Sequence, residues 1–261
     1  MRMRNFEGKT ILVTGASSGI GKAVALLLAE RGAHVIVAAR RAAQLEETSA
    51  AIRDAGGVAT VVTMDIADSA SVADAFATIG SRFERLDGAF NNAGLSHGYK
   101  ALLDLDEDEI RAVLETNLYG TIACMRHELR LMLAQGGGAI LNTGSTTSLT
   151  GGGHIAVYTA TKHGIAGHTK STAIEYASSG VRINCLCPGG VKTEMTVAAQ
   201  EQDPSLQGLI SRIVPMKRMA EPREIAEVAC FMLSDAASFM TGSVVLVDGG
   251  QTVGFSVAPA E

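Results

Sequence analysis

The stretch Thr10-Ile11-Leu12-Val13-Thr14-Gly15-Ala16-Ser17-Ser18-Gly19-Ile20-Gly21 decides how this chain reads. Its first five residues form a short apolar run, the pattern of a strand buried on both faces. After the glycines, Ile20, Val24, Leu27 and Leu28 fall on one helical face, and Gly32 stops the helix. A strand that enters a helix through such a turn forms a cradle for phosphate. Gly15 permits the tight turn, Gly19 lets backbone approach a pyrophosphate, and Gly21 lets the helix pack on the strand. The helix start adds free N–H groups and a partial positive charge. The spacing is G-x-x-x-G-x-G, so its weight comes from the strand–loop–helix context.

Working outward, the alternation continues. Strands are predicted over 34–38, 58–64, 87–90, 139–143, 182–186 and 243–247. Helices are predicted over 42–55, 69–83 with Ser69 as N-cap, 106–134 as one long helix opened by acidic residues, 157–178 and 222–234. About seven strands with helical crossovers imply an α/β fold. The sheet is expected to be parallel and doubly wound, with helices on both faces. No linker or repeat divides residues 1–261, so one domain is expected. Segment 191–215 alone breaks the rhythm. Its Met195, Val197, Leu206, Leu209, Ile210 and Ile213 are spaced for amphipathic helices that could fold over a cleft or pack elsewhere.

Composition narrows the classes. With 261 residues and 47% hydrophobic content the chain is long and apolar enough for a large core, which excludes disorder. A net charge of −5 disfavours a nucleic-acid partner. No apolar run approaches the roughly 18 residues of a membrane span, and the basic start leads into no apolar signal region, so secretion is not expected. Cys124, Cys185, Cys187 and Cys230 form no C-x-x-C, which suits reduced thiols in the cytoplasm, and the histidines show no metal-ligand spacing.

The end of the second strand selects between the two nicotinamide dinucleotides. A carboxylate there would hold ribose hydroxyls and repel a 2′-phosphate, but the sequence is Ala38-Ala39-Arg40-Arg41. A guanidinium forks onto phosphate, so NADP(H) is favoured over NAD(H). The glycine loop offers Ser17 and Ser18 but no second cation, which leaves NAD(H) as the alternative. Asp65, before Ile66, either accepts from an adenine amino group or caps the next helix from outside. Asn91, in Asn91-Asn92-Ala93-Gly94, either fixes loop backbone near the cofactor or forms a plain turn.

Tyr158 and Lys162 lie one helical turn apart and share a face. A free phenol with a pKa near ~10 is a poor base at neutral pH. A nearby ammonium and an oxidised nicotinamide would both lower it. Alone the pair is a weak motif, and context strengthens it. The chain resembles the short-chain dehydrogenase/reductase family over nearly its whole length. The matching features are Thr14 to Gly21, Asn91 to Gly94, Asn117, Ser145, Tyr158 with Lys162, Pro188-Gly189 with Thr193, and Val247-Asp248-Gly249-Gly250.

That resemblance implies a Rossmann fold and roles for these positions. Tyr158 would be the general acid/base. Lys162 would assist it and hold the nicotinamide ribose. Ser145 would bind the substrate oxygen. Asn117, a poor helix former inside a helix, would disturb that helix and hold a water leading to Lys162. Thr193 would bond the nicotinamide carboxamide or cap the next helix. Gly15, Ser17, Ser18, Gly19, Ile20, Ile66, Ala93, Gly94, Pro188, Gly189 and Val191 would complete the cofactor site. The resemblance further implies a homotetramer, built through two long helices and the C-terminal strand region.

The expected reaction is hydride transfer between NADP(H) and a carbonyl or secondary alcohol of a small to medium, mostly apolar substrate. Segments 95–100, 148–157 and 192–215 would shape the pocket, with His97 and His154 as wall or loop residues. Alternatives are a 3-oxoacyl-(acyl-carrier-protein) reductase, for which Arg126 and Arg130 are a thin basic dock, and an NAD-dependent alcohol or diol dehydrogenase. A nucleotide-binding regulatory protein without turnover would not need Ser145, Tyr158 and Lys162 together. An enoyl reductase of the family would space its Tyr and Lys more widely.

Overall fold

The computed structural model describes residues 5–194, 196–197, 201, 208 and 212–254. Seven strands pair in the order β3-β2-β1-β4-β5-β6-β7, every pair parallel. They are β1 (Thr10–Thr14), β2 (His34–Ala39), β3 (Val58–Thr63), β4 (Gly88–Asn91), β5 (Gly138–Thr143), β6 (Val181–Pro188) and β7 (Val244–Val247). The order reverses direction between β1 and β4. That gap at the carboxyl edge of the sheet is where an open α/β fold makes its crevice.

The alternation of side chains along each strand divides the core in two. On one face Val13, Val37, Phe90 and Leu141 pack with α1 (Gly19–Glu30), α2 (Ala42–Asp54) and the helix at Pro222–Leu233, which becomes α7 in chain order. On the other face Leu12, Ile36, Ala89 and Ile140 pack with α3 (Ser69–Arg82) and α5 (Thr121–Ala134). The sheet is covered on both sides, as the near-continuous apolar strands required.

Two helix assignments differ from the sequence reading. Ser69 does not cap α3: Asp68 does, its carboxylate accepting from Ala70 N at 2.9 Å, which leaves Ser69 as the first helical residue. The helix expected over 106–134 is three pieces: α4 (Glu107–Val113), a π-helical turn at Leu114–Gly120, and α5. Asp106 caps α4 through a capping box with Glu109. The π-helical turn contains Asn117, the residue expected to disturb the helix, and Gly120 lets it pass close to Ile66, where a Cβ would stand 2.6 Å from the Ile66 carbonyl oxygen. π-Bulges of this kind often mark functional positions. Helix α6 (Ala156–Tyr176) carries Tyr158 and Lys162. Of segment 191–215, Val197 and Ile213 are described and about half exposed. Met195, Leu206, Leu209 and Ile210 lie outside the described residues.

Candidate active site

A cleft of about 320 Å³ opens at the carboxyl ends of β1, β2, β3 and β4. Its floor is built by the first loop. Gly15 has φ 65°, in the left-handed region, and a Cβ there would stand 2.9 Å from Ala93 Cα. At Gly21 a Cβ would stand 2.3 Å from the Gly15 carbonyl oxygen. The loop therefore folds back on itself and against the segment after β4 only because these positions lack side chains. Thr14 locks the same junction: its hydroxyl accepts from Asn92 N at 3.0 Å and Ala93 N at 3.1 Å. Ser18 stands at the N-cap of α1 without capping through its side chain, and the first turn holds no acidic residue. The positive end of α1 thus faces the cleft, ready for an anion.

Of the residues singled out for a cofactor, Gly15, Ser17, Ser18, Gly19, Ile20, Arg40, Arg41, Asp65, Ile66, Ala93, Gly94, Tyr158, Lys162 and Thr193 line this cleft. The two arginines do different things. Arg41 donates to Ser17 Oγ at 3.0 Å and to Ser18 Oγ at 3.2 Å, so the cation missing from the glycine loop is delivered from the end of β2. Arg40 lies 3.7 Å from the Asp65 carboxylate. Asp65 also accepts from Ala67 N at 3.0 Å, closing the turn after β3. Thr193 Oγ1 accepts from Thr196 N at 3.3 Å, so its capping role is present beside its place on the cleft wall.

At the far end, Lys162 is buried and donates to the Thr143 carbonyl at 2.8 Å. Its ammonium stands 5.5 Å from the centre of the Tyr158 ring. Ser145 follows β5 and forms a reciprocal capping box with Ser148. Its Oγ accepts from Thr147 N at 3.2 Å, and its own N–H donates to Ser148 Oγ at 3.1 Å. Ser148 in turn donates to the Lys162 carbonyl at 2.9 Å. The turn carrying Ser145 and the helix carrying Lys162 are thereby tied through one hydroxyl. Behind Ser148, Cys185 and Cys187 place their sulfurs 3.8 Å apart. The hydrogen bond between them favours charge on Cys187 and, with burial, pushes the Cys185 thiol up.

Several expected residues are elsewhere. The Asn91 side chain does not line the cleft: it is buried beneath the loop and its amide donates to Glu128 and Asn142. The alternation of strand side chains turns Asn91 into the sheet's helical face and leaves Asn92 on the cleft. The Asn117 side chain turns to Leu95. Its oxygen accepts from Leu95 N and its nitrogen donates to Leu95 O, each at 2.8 Å, so it clamps a cleft-wall residue. Pro188, Gly189 and Val191 are not among the cleft walls. Pro188 pairs with Val247, Gly189 makes room for Asp248, where a Cβ would stand 2.8 Å from Cα, and Val191 bridges to Ala220. Ser145 likewise lies outside the walls of this cleft, two residues beyond Thr143. Leu95 and Glu194 on the wall fall within segments expected to shape the pocket, whereas Asn92, Thr116 and Thr143 were not singled out. For Asn92, the strand period running into the loop was the available signal; Thr143 acts through its carbonyl, which no residue type announces.

A family model described as "Enoyl-(Acyl carrier protein) reductase" matches residues 15–252. The chain is 41% identical to an A-factor type gamma-butyrolactone 1'-reductase (1S-forming) of Streptomyces virginiae, over 93% of this chain and 95% of that one. The chain belongs to the short-chain dehydrogenase/reductase family. A cis-4-hydroxycyclohexanecarboxylate dehydrogenase of Sinomonas cyclohexanicum is 40% identical over 95% of this chain and 98% of its own length. A dehydrogenase structure from Agrobacterium tumefaciens with bound NADP superposes with a TM-score of 0.88, at 34% identity, covering 97% of this chain and 100% of that one. As a short-chain dehydrogenase/reductase, this chain is a nicotinamide-dependent oxidoreductase acting on CH–OH groups and the corresponding carbonyls. No helix among the described residues is long and apolar enough to cross a membrane.

Proposed function

We propose that this chain interconverts a carbonyl and a secondary alcohol carried on a small to medium, mostly apolar ring, with NADP(H) preferred over NAD(H). The observation that carries the cofactor preference is the Arg41 guanidinium spanning the Ser17 and Ser18 hydroxyls, at a strand end that has no carboxylate. Three donors around one point suit a phosphate dianion. The ring-bearing substrate rests on relatives named for a butyrolactone and a cyclohexanecarboxylate. The one-turn spacing of Tyr158 and Lys162 supports carbonyl rather than enoyl chemistry, whatever the wider family description names.

The glycine loop and the start of α1 would hold the pyrophosphate, Asp65 and Ile66 the adenine, Lys162 the ribose and Thr193 the carboxamide. The bound nicotinamide supplies or takes up the hydride. Tyr158 gives its hydroxyl proton to the substrate oxygen in reduction and takes it back in oxidation. Lys162, fixed by the Thr143 carbonyl, faces the charge that develops on the phenol oxygen. Ser145 accepts from Thr147 N, which leaves its own O–H to donate to the substrate oxygen. Asn117 supports the wall by holding Leu95.

The chain would act as one domain. Apolar surface at Tyr119, Ile174 and Phe239 supports assembly into a homotetramer. The four buried, unpaired cysteines suit a reducing compartment such as the cytoplasm. A panel of cyclic ketones and alcohols, followed by nicotinamide absorbance with each dinucleotide, tests the reading. It expects turnover of at least one cyclic ketone, with a lower KM for NADPH than for NADH. Tight NADPH binding without turnover of any ketone or alcohol would overturn it.

A further inference from the structure

Helix α5 carries Arg126-His127-Glu128 and Arg130, which reads as a solvated charged face. Glu128 breaks that pattern: it is 0% exposed. Its Oε2 accepts from Asn91 Nδ2 at 3.0 Å. The same Asn91 nitrogen donates to Asn142 Oδ1 at 3.1 Å, its opposite number in the β4–β5 register. Asn142 then donates to Thr169 Oγ1 of α6 at 3.0 Å. Two buried oxygens remain, Glu128 Oε1 and Asn91 Oδ1, and neither has a partner among the described residues.

Both orphans are acceptors when Glu128 is ionised, and a core that leaves two acceptors unpaired is costly. One proton removes both defects. Placed on Glu128 Oε1, it makes an O–H that can donate to Asn91 Oδ1, alongside the N–H bond already present. Acid and amide then form a cyclic pair with two hydrogen bonds. The Asn91 N–H bond favours the charged form, and burial outweighs it. Asn91 of β4 bonds the carboxyl and Cys124 of the same helix interacts with it electrostatically; Asn142 of β5 shares the Asn91 nitrogen and is itself bonded to Met125 and to Thr169 of α6. Cys124 is itself pushed well up by burial. His127 turns away to stack on Phe76 of α3, and the charges that act on it are Arg130 and Arg126. Burial pushes the Glu128 carboxyl up to about 8.

We propose that Glu128 is a neutral carboxylic acid paired cyclically with the Asn91 amide, and that this pair is the positioning element for the cofactor loop and for Lys162. Asn91 ends β4, and the next three residues, Asn92, Ala93 and Gly94, line the cleft. Asn142 directly precedes Thr143, whose carbonyl anchors Lys162. One protonated side chain thus sits beneath both halves of the site. The inference leans on the nicotinamide reading only for the identity of the ligand used in its second test.

The direct test is infrared spectroscopy of the intact protein at pH 7, comparing wild type with Glu128→Gln. A deuterium-sensitive band of a protonated carboxyl, present in wild type and lost in the variant, is expected. The second test is the Kd for NADP+ and NAD+ and the thermal midpoint of Glu128→Gln and Glu128→Ala. Gln reproduces the cyclic pair without a titrating proton, so Kd and midpoint should stay within about threefold and a few degrees. Ala strands the Asn91 amide, so its midpoint should fall and cofactor binding weaken about tenfold or more. Absence of the band at pH 7, or a Gln variant as damaged as Ala, would overturn the proposal. If Glu128→Ala does not fold, the infrared comparison and the Gln variant still decide it. Neither arm needs turnover, so a failed substrate panel would leave the result readable.

Discussion

Replacing Arg41 with alanine removes the guanidinium that donates to Ser17 Oγ at 3.0 Å and Ser18 Oγ at 3.2 Å. If these groups receive a 2′-phosphate, the variant loses a hydrogen bond between charged partners, worth about 1.5–3 kcal/mol. At roughly 1.4 kcal/mol per decade, that is about a tenfold to 150-fold rise in Kd for NADPH. Both serine contacts are exposed, so solvent screening places the expected value toward the lower end, and added salt should shrink it further. NADH has no such phosphate, and its Kd should move by no more than about twofold. Arg40→Ala should have a smaller effect, because Arg40 already lies beside Asp65. The assay is equilibrium titration of wild type and both variants with each reduced dinucleotide at two salt concentrations. Equal weakening of NADPH and NADH by Arg41→Ala, or an unchanged NADPH Kd, would refute the phosphate assignment.

Gly21→Val should destabilise the fold by about 1–3 kcal/mol or more and weaken both dinucleotides, because a Cβ there would stand 2.3 Å from the Gly15 carbonyl oxygen; denaturant melts and titrations check it. Lys162→Met should lower kcat at least about a hundredfold, since it removes the charge held at the Thr143 carbonyl beside Tyr158; steady-state rates at saturating cofactor measure this. The Glu128 carboxyl keeps its proton in the fold up to about 8, against an ordinary value of 4.5. Across that window the unfolded chain binds fewer protons, so this group makes stability fall as pH rises, then level off above about 8. Denaturation of wild type and Glu128→Gln at several pH values should show a gap that widens with pH in favour of the Gln variant.

The sheet was legible because its signals are local and repeated. Each strand is a short apolar run, each crossover a helical pattern, and Gly15, Gly19 and Gly21 sit between one of each. The strand order was not written in any one segment, but parallel pairing and the glycine loop left few arrangements. Residue type identified Tyr158 and Lys162, and the structure brings them to one cleft. Direction was harder to read. Asn91 and Asn92 are identical letters, and only the strand period extended one residue into the loop separates the core-facing amide from the cleft-facing one. Arg40 and Arg41 posed the same problem, settled by where α2 begins and which serines lie within reach. Glu128 shares the buried face of α5 with Cys124, Met125, Leu129 and Met132 by ordinary helical spacing, but a carboxylate beside Arg126 and Arg130 reads as solvent-facing.

The account turns on the Tyr158 hydroxyl as the proton donor to the substrate oxygen. Its most direct test is single-turnover oxidation of NADPH by a reactive cyclic ketone in wild type and Tyr158→Phe, with the NADPH Kd measured on the same samples. The account predicts an unchanged Kd and a rate lower by about a hundredfold to ten-thousandfold. A Phe variant that binds NADPH and reduces the ketone at the wild-type rate would contradict it.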